Sequence, residues 1–203
     1  MKVIERSMDE AGVVHVMLEW LKVCNTKAME VIERSMDEAG AVHVMLEWLK
    51  SCNDWCERLA REQIDLLTTE SIGFMNKYHG EKIDFVIPDK CHILVKELQR
   101  QLADNALAAV RKICHVKSVK QENLMHNSYI VKYIQRCSEL CWRMQITNPP
   151  MCLKFDVKNG ENLDKTLYNA FAKNGSRIEY LVWPILFLHK SGPLMAKGVA
   201  QGT

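Results

Sequence analysis

The chain has 203 residues, with 27 Lys/Arg against 25 Asp/Glu and a formal net charge of +2, enough for one sizeable core and at most two small domains. With 48% apolar and 26% charged residues, the composition is that of a globular chain, not a disordered one, and the charge excess alone is too small to argue for nucleic acid. No apolar run reaches the roughly 18 residues that a membrane-spanning helix needs; the longest, residues 180–188, is interrupted by Pro184.

The first 53 residues are acidic, with 6 Lys/Arg against 9 Asp/Glu, and they repeat themselves. VIERSMDEAGVVHVMLEWLKVCN at 3–25 returns as VIERSMDEAGAVHVMLEWLKSCN at 31–53, changed only at Val13/Ala41 and Val23/Ser51. A period of 28 residues is four heptads and keeps a coiled-coil seam in phase. Each copy carries Ser-Met-Asp-Glu (7–10 and 35–38), a capping-box pattern. Only the second copy continues, with Val42, Met45, Leu49, Cys52, Cys56 and Leu59 stepping by three and four, then through Gln63 to Leu66. Two copies are too few for a solenoid, and matching surface positions speak for a recent duplication. Residues 1–27 are therefore read as an extra amphipathic helix. Residues 28–203 are read as one domain, a helical body (28–147) followed by a small α+β unit (148–203). Trp20 and Trp48, with Met45 and Leu49, are the apolar anchors through which the copies would pair, within one chain or between two.

Residues 68–80 read as a short helix stopped by Gly80. Residues 81–88 read as an extended loop or edge strand, with Asp89 as the next N-cap. A long helix is expected over about 90–114, with Cys91, Leu94, Leu98, Leu102, Leu107 and Val110 near one face. It closes on RKICHVKSVK (111–120), which has four basic residues, one His and no acid. Such a run suits the negative end of a helix dipole. It reads either as a solvated helix end or as a contact for an anionic surface, phospholipid headgroups or phosphate. Ser118 to Gln121 offers a second capping box. The next helix, over about 119–145, carries Ile130, Ile134, Cys137, Cys141 and Met144, and is stopped by Asn148-Pro149-Pro150.

The pattern then changes. Met151, Leu153, Phe155 and Val157 alternate with Lys154 and Asp156 as in a half-buried strand. Leu163, Leu167 and Phe171 return to helical spacing. Residues 177–189 are rich in β-formers, with Pro184 suited to a bulge or edge, and 194–201 read as the returning arm of a hairpin. The expected class is α+β, predominantly α: a bundle of long helices with a small C-terminal β unit of one hairpin and one strand.

Eight cysteines in a chain of this length, behind an acidic N-terminus unlike a secretory signal or basic transit peptide, read as thiols in a reducing compartment. The pairs Cys52/Cys56 and Cys137/Cys141, each four apart, read as small buried apolar residues. Cys91-His92 and Cys114-His115 are sequence neighbours, which do not face one another on a helix. There is no glycine-rich phosphate loop, no Cys-x-x-Cys and no helical His pair. Glu161 and Asp164 read as a helix start and His189 as an exposed polar residue. No catalytic residue, metal site, cofactor or nucleic-acid partner is expected.

RCSELCWRMQITNPPMCLKF (136–155) and NGSRIEYLVWPILFLHKSGPLMAKGVAQ (174–201) carry Cys141-Trp142, Pro149-Pro150, Val182-Trp183-Pro184, Gly192-Pro193 and Lys197-Gly198-Val199. At these blocks the chain resembles the C-terminal domain of the mitochondria-eating protein family. The resemblance implies a non-enzymatic role in mitochondrial quality control, binding to the doubly anionic lipid cardiolipin, and a peripheral place in the cytosol and at the mitochondrion, on its outer membrane or in its matrix. The basic residues then become lipid-contact candidates: Arg111, Lys112, Lys117 and Lys120 from the helix end, with Lys190 and Lys197 from the hairpin. The alternative is a coiled-coil self-assembly domain, a homo-oligomer through the N-terminal helices without direct lipid contact. Trp142 and Trp183 read as core residues ahead of interfacial ones.

Overall fold

The computed structural model describes residues 26–79 and 88–203, and of residues 71–79 the backbone alone. The first repeat copy with Trp20, Gly80 and the extended reading of 81–87 lie outside the described residues. Residues 26–32 are helical and bury Ala28 and Ile32 in the main core.

Helix α1 is Glu38–His79, 42 residues long. Asp37 caps it in place of Ser35: the Gly40 amide donates to Asp37 Oδ1 at 2.9 Å. Ser35 Oγ instead donates to the Ile32 carbonyl at 2.8 Å, satisfying the end of the preceding helical segment. The helix runs through Thr68 and Thr69 without a break, so 68–79 continue α1 and are not a separate short helix. Ala41, Met45, Trp48, Leu49, Cys52, Cys56 and Ala60 make its buried stripe, at the three–four spacing that one helix face presents.

The helix expected over 90–114 is two helices, α2 (Asp89–Gln101) and α3 (Ala103–Ser118), parted at Leu102. Asp89 opens α2 inside its first turn, and no side chain caps that helix. The indole Nε1 of Trp142 donates to the Ala103 carbonyl at 3.1 Å, which ties the start of α3 to its neighbour. Helix α2 is held to α1 by Gln99, fully buried, whose Nε2 donates to the Ala60 carbonyl (2.7 Å) and to Gln63 Oε1 (3.1 Å). Leu94 and Leu98, expected inward, are therefore exposed, together with Ile93. The helix expected over 119–145 is also divided, into α4 (Glu122–Met125) and α5 (Ser128–Gln145). Asn127 caps α5 through its side-chain oxygen. Ser118 is not a cap: it is buried, and its hydroxyl donates to Ser51 Oγ at 3.0 Å.

The C-terminal strands are β1 (Cys152–Lys154), β2 (Tyr168–Ala170), β3 (Ile178–Trp183), β4 (Ile185–Phe187), β5 (Leu194–Ala196) and β6 (Gly198–Gly202). They form two three-stranded sheets, β1-β4-β5 and β2-β6-β3. Pro184 separates β3 from β4 and Lys197 separates β5 from β6, so both arms pass from one sheet to the other at matching places. The segment with Leu163, Leu167 and Phe171 is not helical. Asp164 forms a turn, accepting from the Thr166 amide (2.8 Å) and hydroxyl (2.6 Å), and these bonds lower its carboxyl pKa. The chain then pairs in parallel, Tyr168 opposite Gly198. A Cβ at Gly198 would stand 2.8 Å from Tyr168 Cδ1, so this approach needs glycine.

Helices α1 and α5 pack together, α3 packs on both, and β3 leans on α1. One core runs from the helices into Met151, Leu153, Trp183 and Leu186; a smaller one gathers Leu163, Tyr168, Ile178, Leu181, Ile185 and Ala200. The fold is α+β and mainly α.

Candidate functional site

Helix α3 buries Ala103, Leu107, Val110, Cys114 and Ser118. Lys112, Val116, Lys117 and, just past the helix, Lys120 are exposed. Lys117 Nζ lies 5.3 Å from the centre of the Trp55 ring on α1, and the Arg58 guanidinium lies 5.0 Å from the same centre. Each contact is a cation–π pair worth about 0.5–1 kcal/mol at an exposed place. A half-buried indole on α1 thus carries one cation from each helix over it, at the ridge where α1 and α3 meet; Lys112, Val116 and Lys120 are exposed on the same stretch of chain as Lys117.

Arg111 belongs to a different arrangement. It pairs with Glu139 on α5 at 2.9 Å, Arg136 reaches the same carboxylate at 3.3 Å, and Arg143 stands 4.0 Å from it and 2.8 Å from Asp104. Three guanidiniums thus surround two carboxylates, and the Glu139 side chain is only 13% exposed.

Lys190 and Lys197 are exposed on the β unit, where Lys197 Nζ donates to the Lys165 carbonyl at 2.7 Å. They are carried by strands and turns of the sheets, whereas Lys112, Lys117 and Lys120 end a helix packed on α1 and α5. The six sequence candidates are thus not in one arrangement: Arg111 is in an ion-pair cluster, Lys117 lies over Trp55 on the α1–α3 ridge, Lys112 and Lys120 are exposed close to it in sequence, and two are on the β unit.

The self-association candidates within the described residues are core. Met45 and Trp48 are nearly fully buried and Leu49 is completely so. The Tyr133 hydroxyl donates to the Met45 carbonyl at 3.0 Å, and its ring lies 6.4 Å from that of Trp48. Burial raises the Tyr133 pKa. Trp142 and Trp183 are likewise buried.

Elsewhere, a cleft of about 270 Å³ opens between the start of α1 and the sheets, lined among others by His43, Leu46, Glu47, Phe155, Glu179 and Tyr180. Burial, then Glu38, Glu179 and Asp37, raise the Tyr180 pKa. This rim is negative and suits no anion. Cys91 is exposed while Cys114 is buried, and His115 Nε2 lies 2.9 Å from the Met125 carbonyl, so neither Cys-His neighbour pair forms a joint site. Among the described residues no group of three or more His, Cys, Asp or Glu is placed to hold a metal, and no helix is long and apolar enough to cross a membrane.

Six residues of these surfaces were not evident from the sequence: Trp55, Arg58, Asp104, Arg136, Glu139 and Arg143. Local signals exist for part of them, since Trp55/Arg58 and Arg136/Glu139 are three apart and Glu139/Arg143 four apart, spacings that meet on a helix. Nothing local marks the approach of Lys117 to Trp55.

No curated protein and no solved structure matches the chain. A family model described as mitochondria-eating protein matches residues 19–202. Matched over nearly its whole length, the chain belongs to the mitochondria-eating protein family, which is not a known enzyme family and whose membership implies a role in mitochondrial quality control.

Proposed function

We propose that this domain is a peripheral, non-enzymatic module of mitochondrial quality control that binds anionic phospholipid of the cardiolipin kind through the α1–α3 ridge. The observation that carries the reading is the placement of Lys117 and Arg58 over Trp55; Lys112, Val116 and Lys120, exposed on the same stretch of chain as Lys117, would extend that surface. Indoles favour the headgroup level of a bilayer, where their apolar body and polar N–H are both accommodated. Each cation near an anionic leaflet contributes about 1 kcal/mol. Four cations on one ridge would therefore give useful binding that weakens as salt screens it. The reading does not require Lys190 or Lys197, and it gives Arg111 a structural part through Glu139. Self-association through Met45, Trp48 and Leu49 would have to unpack the core that they fill.

Flotation with phosphatidylcholine vesicles, with and without cardiolipin, tests the proposal. We expect the protein to float with cardiolipin vesicles only, less so as salt rises, and to stay in solution when Lys112, Lys117 and Lys120 are all changed to Glu. Equal flotation with neutral vesicles, or undiminished flotation of a folded triple variant, would remove the ridge from the account.

A further inference from the structure

Where α1, α3 and α5 meet, five cysteines share one interior: Cys52 and Cys56 from α1, Cys114 from α3, Cys137 and Cys141 from α5, each fully buried. Apolar packing alone would not orient their sulfurs. Here Cys56 Sγ lies 3.9 Å from Cys114 Sγ, and Cys52 Sγ lies 3.5 Å from Ser118 Oγ and 3.9 Å from Ser138 Oγ. Ser138 Oγ in turn donates to the Ile134 carbonyl at 2.6 Å. The Cys56–Cys114 contact joins two helices across 58 residues of sequence.

We propose that Cys56 and Cys114 form a dithiol oxidation site, converted by hydrogen peroxide into a disulfide that staples α1 to α3. The disulfide needs the sulfurs to close from 3.9 Å to about 2.05 Å. Cys114 is the attacking group: hydrogen bonds from Cys52 and then Cys56 favour its thiolate, against the opposing effect of burial. The same contact, followed by burial, raises the Cys56 pKa, so Cys56 keeps its proton until the second step. In the first step the Cys114 thiolate attacks one peroxide oxygen, the O–O bond breaks, and sulfenic acid and hydroxide form. In the second, the Cys56 sulfur attacks the sulfenic sulfur, the S–O bond breaks, and the departing hydroxide takes the Cys56 proton. The sum is two thiols and one peroxide giving one disulfide and two waters, with sulfur oxidised and peroxide oxygen reduced. Peroxide reaches the pair by transient opening of the helices, so Cys91, exposed on α2, reacts first and serves as an internal reference.

The test uses the full chain carrying Cys91→Ser to prevent cross-linking between molecules, beside the unchanged chain. Each is titrated with peroxide, alkylated after denaturation, digested without reduction and mapped by mass spectrometry; thermal melts are recorded before and after reduction. We expect a Cys56–Cys114 linked peptide in both, and a melting temperature raised by on the order of 5–10 °C, lost on reduction. Cys56→Ala and Cys114→Ala should each abolish the linked peptide and the reversible rise. The proposal fails if both cysteines are still alkylated as thiols at peroxide levels that fully oxidise Cys91 in the unchanged chain, or if the linked peptides join other cysteines. Mapping in the unchanged chain decides the matter even where a variant fails to fold.

Discussion

The Arg111 guanidinium stands 2.9 Å from the Glu139 carboxylate, and that carboxylate also draws Arg136. The leading cation of the basic run is thus consumed inside the fold, where it joins α3 to α5. Changing Glu139 to Gln would take the carboxylate charge away from Arg111, Arg136 and Arg143 at once, and leave Arg143 its pair with Asp104. We expect it to lower the unfolding free energy by about 1–3 kcal/mol, because the partners of a half-buried carboxylate lose charge-assisted bonds. Lys112→Glu, at an exposed position, should stay within about 0.5 kcal/mol of the unchanged protein, and Lys117→Glu should lose about the 0.5–1 kcal/mol of its contact with Trp55. Urea unfolding compares all three, and a Glu139→Gln midpoint equal to that of the unchanged protein would mean the cluster is effectively solvated.

Trp55 is half-buried, whereas Trp48, Trp142 and Trp183 have almost no exposed surface. If the α1–α3 ridge meets lipid, Trp55 is the described indole whose surroundings change. Cardiolipin vesicles should shift the tryptophan emission to the blue, and Trp55→Phe should remove the shift. Trp20→Phe, made in parallel, should leave it in place. A shift that persists in Trp55→Phe would move the contact elsewhere on the molecule.

How far the sequence reaches can be seen at particular residues. The stripe from Met45 to Cys56 was readable because burial on one side of a helix repeats every three or four residues. A bulge or edge at Pro184 was readable because proline cannot donate to a ladder; that the chain passes there from one sheet to the other was not. Leu102, by contrast, carries no glycine or proline; what marks the place is Trp142 bonding to the Ala103 carbonyl, a relation between distant residues. Leu163, Leu167 and Phe171 keep helical spacing, yet the chain there pairs with β6, and tertiary pairing outweighs local preference in short segments. The candidate site divides in the same way. Lys112, Lys117 and Lys120 stood out as a charge run, but Trp55 became part of the surface only when α3 was laid against α1.

Leu49 has no exposed surface and Tyr133 donates to the carbonyl of nearby Met45, so this part of α1 is interior. Leu49→Ala should cost about 2–5 kcal/mol, the loss of transfer energy plus that of an incompletely collapsed cavity. Denaturant titration measures it. If α1 used Leu49 as an assembly seam instead, stability would change little while sedimentation shifted to a smaller species.

Copy two of the repeat fits its place in ways copy one would not. Ala41 is completely buried, and the corresponding residue in copy one is Val13; Ser51 accepts the Ser118 hydroxyl at 3.0 Å, and its counterpart is Val23. Overpacking at the first position should cost about 1–3 kcal/mol, and loss of the hydrogen bond at the second about 0.5–1.5 kcal/mol. We therefore expect Ala41→Val and Ser51→Val each to destabilise the protein. Removal of residues 1–25 should leave the thermal melt within about 2 °C, a shift equivalent to less than 1 kcal/mol in a domain of this size. Neutral Ala41→Val and Ser51→Val variants would instead make the two copies interchangeable in the core, and the chain could then fold with either one in the slot beside α3 and α5.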